Sequence, residues 1–456
     1  MEKAKETGTD QELMRSMKVS KAVAAMAIPS VISSLVTVVY NMADTFFVGQ
    51  TGDPLQVAAV SLTNPIFILF MAVANMFGMG GSAVASMALG EQNQKRMKQV
   101  STFITYASLA VGILFALVLV GFMQPILSIF GANEETYALA RGYVFHISYG
   151  APFVIWSAAA SFVVRAEGAS KEAMIGSMIG TIVNIILDPI MINGLHMGAA
   201  GAAIATTIGN ILASLYYAWY FIKKSKCFSI HPGYFKYKDK ILTTVCSSGF
   251  PTAIFSVLMS VSTIVLNQIL VVYGNAPVAA IGIVFKANMF ITFLQMGLAN
   301  GVQPLLGYNY GAGNIKRFRA VESYTKKCCL IVGILSTVLY FVFRTQIIKL
   351  FVSDPEVVNY GVTMLIAYMI SGPVIGVLFV NMNCMQSVGR ALSATILSVL
   401  RQGVLLIPLL YLLNAVARIH GVIYGQALTD YIAVILSTII WKQYQNSITK
   451  EKDSVK

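Results

Sequence analysis

GEQNQKR, at residues 90–96, recurs as GAGNIKR at residues 311–317, and this repeat decides the fold. The spacing is 221 residues (311 minus 90), and several other features recur at nearly the same spacing. These further matches are Ala58-Ala59-Val60 with Ala279-Ala280-Ile281, Ala151-Pro152 with Gly372-Pro373, Gly168 with Gly389, and Pro29 with Pro251, the last with one residue of slip. One match alone would carry little weight, but a nearly constant offset indicates that the chain contains two copies of one unit.

The composition is typical of a polytopic membrane protein. Of the 456 residues, 57% are hydrophobic and 11% are charged, whereas soluble domains carry about 25% charged residues. The mean hydropathy is +0.72. The net charge of +13 would also suit nucleic-acid binding, but the basic residues form short clusters between apolar runs. That pattern is typical of membrane topology, so we expect a lipid bilayer and no nucleic acid as partner.

Apolar runs long enough to cross about 30 Å of hydrocarbon recur along the whole chain. They predict twelve transmembrane helices at 22–48, 56–88, 100–123, 137–160, 173–193, 198–222, 241–272, 277–308, 325–348, 358–382, 391–413 and 420–441.

The Lys and Arg residues predict the orientation of these spans. With the N-terminus inside, 26 of the 32 fall in cytoplasmic segments, and only Arg141, Arg344, Lys349 and Arg418 fall on the outer side. Two more, Lys286 and Arg401, lie within spans. Because basic residues accumulate in cytoplasmic loops, both termini are expected to be cytoplasmic, and the protein is expected in the cell membrane.

The repeat and the spans together predict two parallel lobes. Each copy holds six spans, an even number, so both copies enter the membrane in the same direction and are related by an axis along the membrane normal. We therefore expect an all-α protein with two six-helix lobes around a central cleft, which suits alternating access. The predicted parts are a leader at 1–21, an N-lobe at 22–222, a linker at 223–240, a C-lobe at 241–441 and a tail at 442–456.

Four polar residues predict a cation site in the first lobe. Asn184 and Asp188 lie one helical turn apart and share a face. Asp44 and Thr206 fall at a similar depth on the first and sixth spans, in the outer part of the membrane. Charged groups at this depth are costly and usually mark an ion path. Carboxylates, an amide and a hydroxyl together would bind Na⁺ or take up H⁺.

A second set of charges lies in the other lobe. Asp430 and Lys286 are predicted at nearly the same depth, about 15 Å from the outer surface, and we expect them to form an ion pair that Arg401 joins. Its role is either structural or part of coupling. Pro29 lies about 22 Å below Asp44 on the first span, where a kink could let cation binding bend that helix, although an ordinary tolerated proline remains an alternative.

No energy-coupling or catalytic module is visible in the sequence. There is no Gly-x-x-x-x-Gly-Lys-Ser/Thr loop for ATP and no arrangement of nucleophile, base and metal ligands typical of an enzyme. We therefore expect neither enzyme activity nor a cofactor, and an ion gradient is the remaining source of energy.

Three segments give the chain its resemblance to a known family. They are NMADTFFVG at residues 41–49, RAEG at residues 165–168 and NIILDP at residues 184–189. With the two six-span halves, they resemble the multidrug and toxic compound extrusion (MATE) family, in its DinF-like and MepA-like branch. The resemblance covers nearly the whole chain.

The resemblance implies export of cationic, lipophilic drugs and dyes in exchange for H⁺ or Na⁺. It places ion binding at Asp44, Asn184, Asp188 and Thr206, and the bend of the first helix at Pro29. Another branch of the family carries carboxylates on the seventh and tenth spans, but here the seventh has none and the tenth has only Glu356. Coupling through the first lobe alone is therefore expected, in a monomer.

The alternative within the same superfamily is a flippase for lipid-linked oligosaccharides. Such proteins tend to line the cleft with basic residues that bind pyrophosphate. Only Lys286 and Arg401 are basic at membrane depth here, which favours the drug antiporter. A membrane enzyme is a third reading, disfavoured by the missing catalytic residues.

Overall fold

The computed structural model describes residues 12–235 and 240–453, with side chains as far as residue 446. Parts of the predicted leader (1–11), linker (236–239) and tail (454–456) lie outside the described residues. The first six spanning helices are α1 Val19–Gly49, α2 Pro54–Gly90, α3 Gln94–Gly121, α4 Glu134–Ala166, α5 Ser170–Asp188 and α6 Gly198–Trp219. The next four are α7 Ile241–Val271, α8 Asn275–Gly311, α9 Ile315–Val342 and α10, which is Pro355–Ile370 continued by Gly372–Ser387.

The rest of the described chain, from residue 391, is one long helical stretch that contains two crossings. Ten helices are long and apolar enough to span a membrane, or eleven when the bent pair in α10, with its 47° angle, is counted as one span. The last of them runs for 56 residues, but Arg418 breaks it with φ 51° and ψ −140°. Gly421 packs on Leu413, so the chain turns back on itself there.

We therefore divide this stretch into α11 (391–417) and α12 (419–453). With that division the described residues contain twelve candidate spans. The predicted all-α polytopic membrane protein is confirmed.

The repeated heptapeptide forms the same tight turn twice. Asn93 accepts a hydrogen bond from the backbone nitrogen of Arg96 at 3.0 Å, and Asn314 accepts one from Arg317 at 3.0 Å. Each asparagine thus satisfies an orphan donor at the start of α3 or α9. The residue before each cap has a left-handed backbone, with φ 57° at Gln92 and 71° at Gly313.

The two halves meet where α2 and α8 approach their last turns. A Cβ at Gly90 would collide with the carbonyl oxygen of Tyr308, and a Cβ at Gly311 would collide with that of Met87. These two contacts exchange under the 221-residue offset, so the pseudo-two-fold axis passes between α2 and α8. This end of the bundle also holds the start of α1 and the end of α12, and we call it the terminal end.

Away from the terminal end the halves part. Gly282, in the first turns of α8, has open space where a Cβ would lie, whereas Gly297 and Gly301 of the same helix press on α1. The close packing of α8 on α1 therefore does not extend to the first turns of α8.

The close contact of α2 with α7 predicts a stability loss in Gly249→Ala. The added methyl would collide with the backbone of Met76, and overpacking of this kind costs about 1–3 kcal/mol. We expect a lower thermal denaturation temperature of the purified protein, measured by the loss of the monodisperse size-exclusion peak. Gly121→Ala in α3, where the same methyl meets open space, is the control. Equal denaturation temperatures for the two variants would contradict the close contact.

Candidate cation site in the first half

The site is built on α5 and α6, which pack against each other in the first half. Asn184 and Asp188 occupy the last two turns of α5, and Thr206 lies on α6. Asp188 is fully buried, Asn184 is 3% exposed and Thr206 is 5% exposed. Pro189 follows directly and begins a short π-helical turn, Pro189–Gly194. The structure therefore brings three of the four predicted ligands together.

The Asn184 amide links the other two side chains. With its nitrogen toward Asp188, it donates to Asp188 Oδ2 at 3.0 Å, and its oxygen accepts from the Thr206 backbone nitrogen at 2.9 Å and from Thr206 Oγ1 at 3.1 Å. We adopt this orientation because the opposite one turns the amide oxygen toward the carboxylate. Asn184 thus holds the Asp188 carboxylate in place.

The second oxygen of Asp188 is the unusual feature of the site. Among the described residues, no hydrogen-bond donor contacts Asp188 Oδ1, although the atom is buried. A buried anionic oxygen without a partner is expensive, so the group is expected to hold a cation or a proton there. The unpartnered carboxylate oxygen of Asp188 is a hard ligand that fits Na⁺ as well as H⁺.

The remaining predicted ligand, Asp44, lies on α1 and is half-buried. Its charge acts electrostatically on Asp188 and on Tyr143 of α4. Tyr40 lies one turn before Asp44, and its hydroxyl is 3.3 Å from Thr206 Oγ1. Tyr40 therefore connects α1 to Thr206 of the site, and Asp44 lies one turn further along the same helix.

Sequence reasoning missed both tyrosines. Tyr40 could have been found from its spacing of four residues to Asp44, which puts both on one face of α1. Tyr143 had no such signal, because a lone aromatic residue in a span usually packs in the core.

The predicted bend of α1 lies in a segment rich in hydroxyl groups. Pro29 lies inside the helix. Ser33 Oγ donates to the carbonyl of Pro29 at 3.0 Å, and Ser30 Oγ donates to that of Met26 at 3.0 Å. Proline removes a helix hydrogen bond, and such hydroxyl bonds often bend helices. The role of Pro29 as a hinge stays a prediction.

The charges of the second half pair differently from the prediction. Arg401 Nε donates to Asp430 Oδ1 at 2.8 Å, and both side chains are buried. Gln426 donates to the same oxygen at 2.9 Å. Lys286 is exposed, and within the described ranges no carboxylate forms an ion pair with it.

The predicted pairing of Lys286 with Asp430 is therefore corrected. Lys286 and Asp430 were predicted at a similar depth along the membrane normal. Lys286, however, lies eleven residues, or about three helical turns, before Gly297 and therefore on the same face of α8. That face points to α1, whereas Asp430 is buried on α12 beside Arg401.

Comparison with known families supports the two-fold organisation. The MatE family profile matches residues 29–190 and again residues 251–412. The offset between the matches is 222 residues (251 minus 29). At that offset, the counterparts of Asp44, Asn184 and Asp188 are Leu266, Leu406 and Leu410. The second half therefore has apolar residues at these three places, and the polar residues of the candidate site lie in the first half.

Two curated relatives align over almost the whole chain. The Multidrug export protein MepA of Staphylococcus saprophyticus is 32% identical over 95% of this chain and 96% of its own. The protein of the same name from Staphylococcus aureus is 33% identical over 92% of this chain and 93% of its own.

Solved structures share the fold at lower identity. One, described as the outward-facing conformation of a multidrug resistance MATE family transporter, superposes with a TM-score of 0.91 at 23% identity, over 96% of this chain and 98% of its own. A transporter from Pyrococcus furiosus superposes with a TM-score of 0.87 at 24% identity, over 96% of this chain and 98% of its own. The chain is a multi-pass membrane protein that belongs to the MatE family of transporters, as the sequence resemblance implied.

Proposed function

We propose that the protein is a secondary active multidrug exporter that moves cationic, lipophilic drugs and dyes out of the cell in exchange for H⁺ or Na⁺. The observation that carries the proposal is the buried carboxylate of Asp188, whose Oδ1 has no donor among the described residues. Relatives named as multidrug export proteins support the substrate class. No cofactor is needed, because the ion gradient supplies the energy.

The proposed mechanism uses the two halves as rocking lobes, 22–222 and 241–441. The cation binds at Asp44, Asn184, Asp188 and Thr206, and the drug binds in the cleft. Each favours a different conformation, so binding of one promotes release of the other. Pro29 would let α1 bend as the site fills. We place both termini in the cytoplasm of a monomer in the cell membrane, because basic residues gather at the terminal end.

The flippase alternative finds less support. Arg401, one of two cations at membrane depth, is neutralised by Asp430. Lys286, the other one, is exposed, and a single lysine is little positive charge for a pyrophosphate.

Ethidium transport in proteoliposomes tests the proposed function. We expect ethidium to move against its gradient when a H⁺ or Na⁺ gradient is imposed, and to stop when an ionophore collapses that gradient. Liposomes without protein are the control. The absence of gradient-dependent dye movement would overturn the proposal, and is what a flippase or an enzyme should show.

A further inference from the structure

A groove on the outer surface of the second half lies between α9, α10 and α12, near the terminal end. Its volume is about 560 Å³. Arg319, Lys326, Lys327 and Glu322 of α9 supply its charged lining, with Gln445 from α12. None of these lining residues belongs to the candidate cation site.

The matching surface of the first half is covered by the chain itself. The Ser229 backbone nitrogen donates to Ser101 Oγ at 3.0 Å, and Tyr106 donates to the Ile230 carbonyl at 3.1 Å. Phe235 stacks on Phe103 with ring centroids 6.2 Å apart. Ser101 is the counterpart of Glu322 at the 221-residue offset. The segment that follows α6 thus fills, on α3, the place that is an open groove on α9.

The charge of the groove is positive. Glu322 is buried and already accepts hydrogen bonds from Trp441 at 2.6 Å, Gln445 at 2.6 Å and Lys326 at 2.5 Å. Lys327 is exposed beside it. The groove therefore has three cationic side chains against one carboxylate whose oxygens are engaged.

The groove continues into an apolar face on the membrane side. Leu330 and Ile331 line it and are 40% and 56% exposed. Leu335 and Val338 extend the exposed apolar face along α9, at 64% and 56%. Residues 328–342 of α9 carry no charge, and Lys326 and Lys327 directly precede them on the side of the terminal end. The two lysines therefore lie at the end of the apolar face that is nearer the headgroups.

We propose that this groove binds an anionic phospholipid, with its phosphate against Lys326 and Lys327 and its acyl chains along Leu330 and Ile331. Basic pockets between transmembrane helices bind anionic headgroups. Each Lys or Arg near the membrane surface contributes about 1 kcal/mol of attraction to anionic lipid. The lipid occupies the place that the linker segment fills in the first half. The positive charge selects an anionic lipid over a zwitterionic one.

Fluorescence of Trp441, which touches Glu322 in the groove, provides the test. The other two tryptophans are replaced (Trp156→Phe and Trp219→Phe), and the full chain is placed in nanodiscs with brominated phosphatidylglycerol or brominated phosphatidylcholine. We expect brominated phosphatidylglycerol to quench Trp441 at a lower mole fraction than brominated phosphatidylcholine does. In Lys326→Gln/Lys327→Gln, apparent affinity for it should fall about tenfold or more. In Lys327→Gln alone, which leaves the Glu322 contacts intact, the apparent affinity should fall by less than in the double variant.

The matched control is Lys95→Gln/Lys223→Gln, which removes two exposed lysines at the terminal end of the first half and should keep the preference. Equal quenching by the two lipids, or unchanged preference in both Lys327 variants, would overturn the proposal. A Trp441 response to inorganic phosphate in phosphatidylcholine discs would assign the groove to a free anion instead. Lipid binding that occurs only after deletion of residues 447–456 would assign it to the chain's own tail.

Discussion

Asp188→Asn is expected to lose ion-driven ethidium transport by at least about tenfold, which corresponds to ~1.4 kcal/mol or more of coupling free energy. The substitution keeps the size of the side chain but removes the negative charge that attracts the cation. Asn184 already holds Asp188 Oδ2 at 3.0 Å, so an amide fits the same place. The loss is measured in proteoliposomes, with equal protein in each preparation.

The second half should not compensate for this loss. Its counterparts of the three ligands, Leu266, Leu406 and Leu410, are apolar. Asp53→Asn is the matched control, because Asp53 caps α2 by accepting from the Leu55 nitrogen at 2.9 Å and asparagine caps equally well. Both substitutions remove one carboxylate near the same end of the bundle. Transport in Asp188→Asn equal to that in Asp53→Asn would exclude Asp188 from coupling.

Asp430→Ala is expected to destabilise the protein by about 3–5 kcal/mol, because it leaves Arg401 buried without its partner. The guanidinium stays charged, and its Nη1 already has no hydrogen-bond partner in the described part of the chain. It lies against the rings of Phe255 and Phe379, whose centroids are 5.4 and 5.9 Å away. Arg401 as a whole is only 7% exposed. The measurement is the thermal denaturation temperature of purified protein.

The double variant Arg401→Met/Asp430→Leu should recover most of this loss, since replacing a buried ion pair by apolar groups of similar size is often neutral. Arg401→Met alone should cost less than Asp430→Ala, because a carboxylate can take up a proton whereas a guanidinium cannot lose one. Lys349→Met, at an exposed position of the same half, is the control. A double variant no more stable than Asp430→Ala would contradict the pairing.

Much of the fold could be predicted because membrane spans and internal repeats leave strong periodic signals. The tight turn at residues 90–96 recurs because asparagine caps and a left-handed residue are needed at fixed places. The sequence predicted a loop between the spans that end at 413 and begin at 420, but the chain reverses with a single non-helical residue, Arg418.

The site was only partly predictable. Asn184 and Asp188 share a helix, so their spacing settles their mutual geometry, and depth alone sufficed to place Thr206 beside them. Depth failed for Lys286, because it gives no direction around the helix axis. The contacts of Gly249 and Gly311 could not be foreseen, since a glycine in a span carries no signal that another backbone lies against it. The roles of the site residues stay predictions.

Cation release on drug binding tests the central claim most directly. Purified protein in a weakly buffered solution is mixed with ethidium, and released H⁺ is followed with a pH indicator, or released ²²Na⁺ by rapid filtration. If the cation occupies the site at Asp188, wild-type protein and Asp53→Asn should release it as the dye binds, and Asp188→Asn should release none. Release from Asp188→Asn equal to that of the wild type would contradict the account.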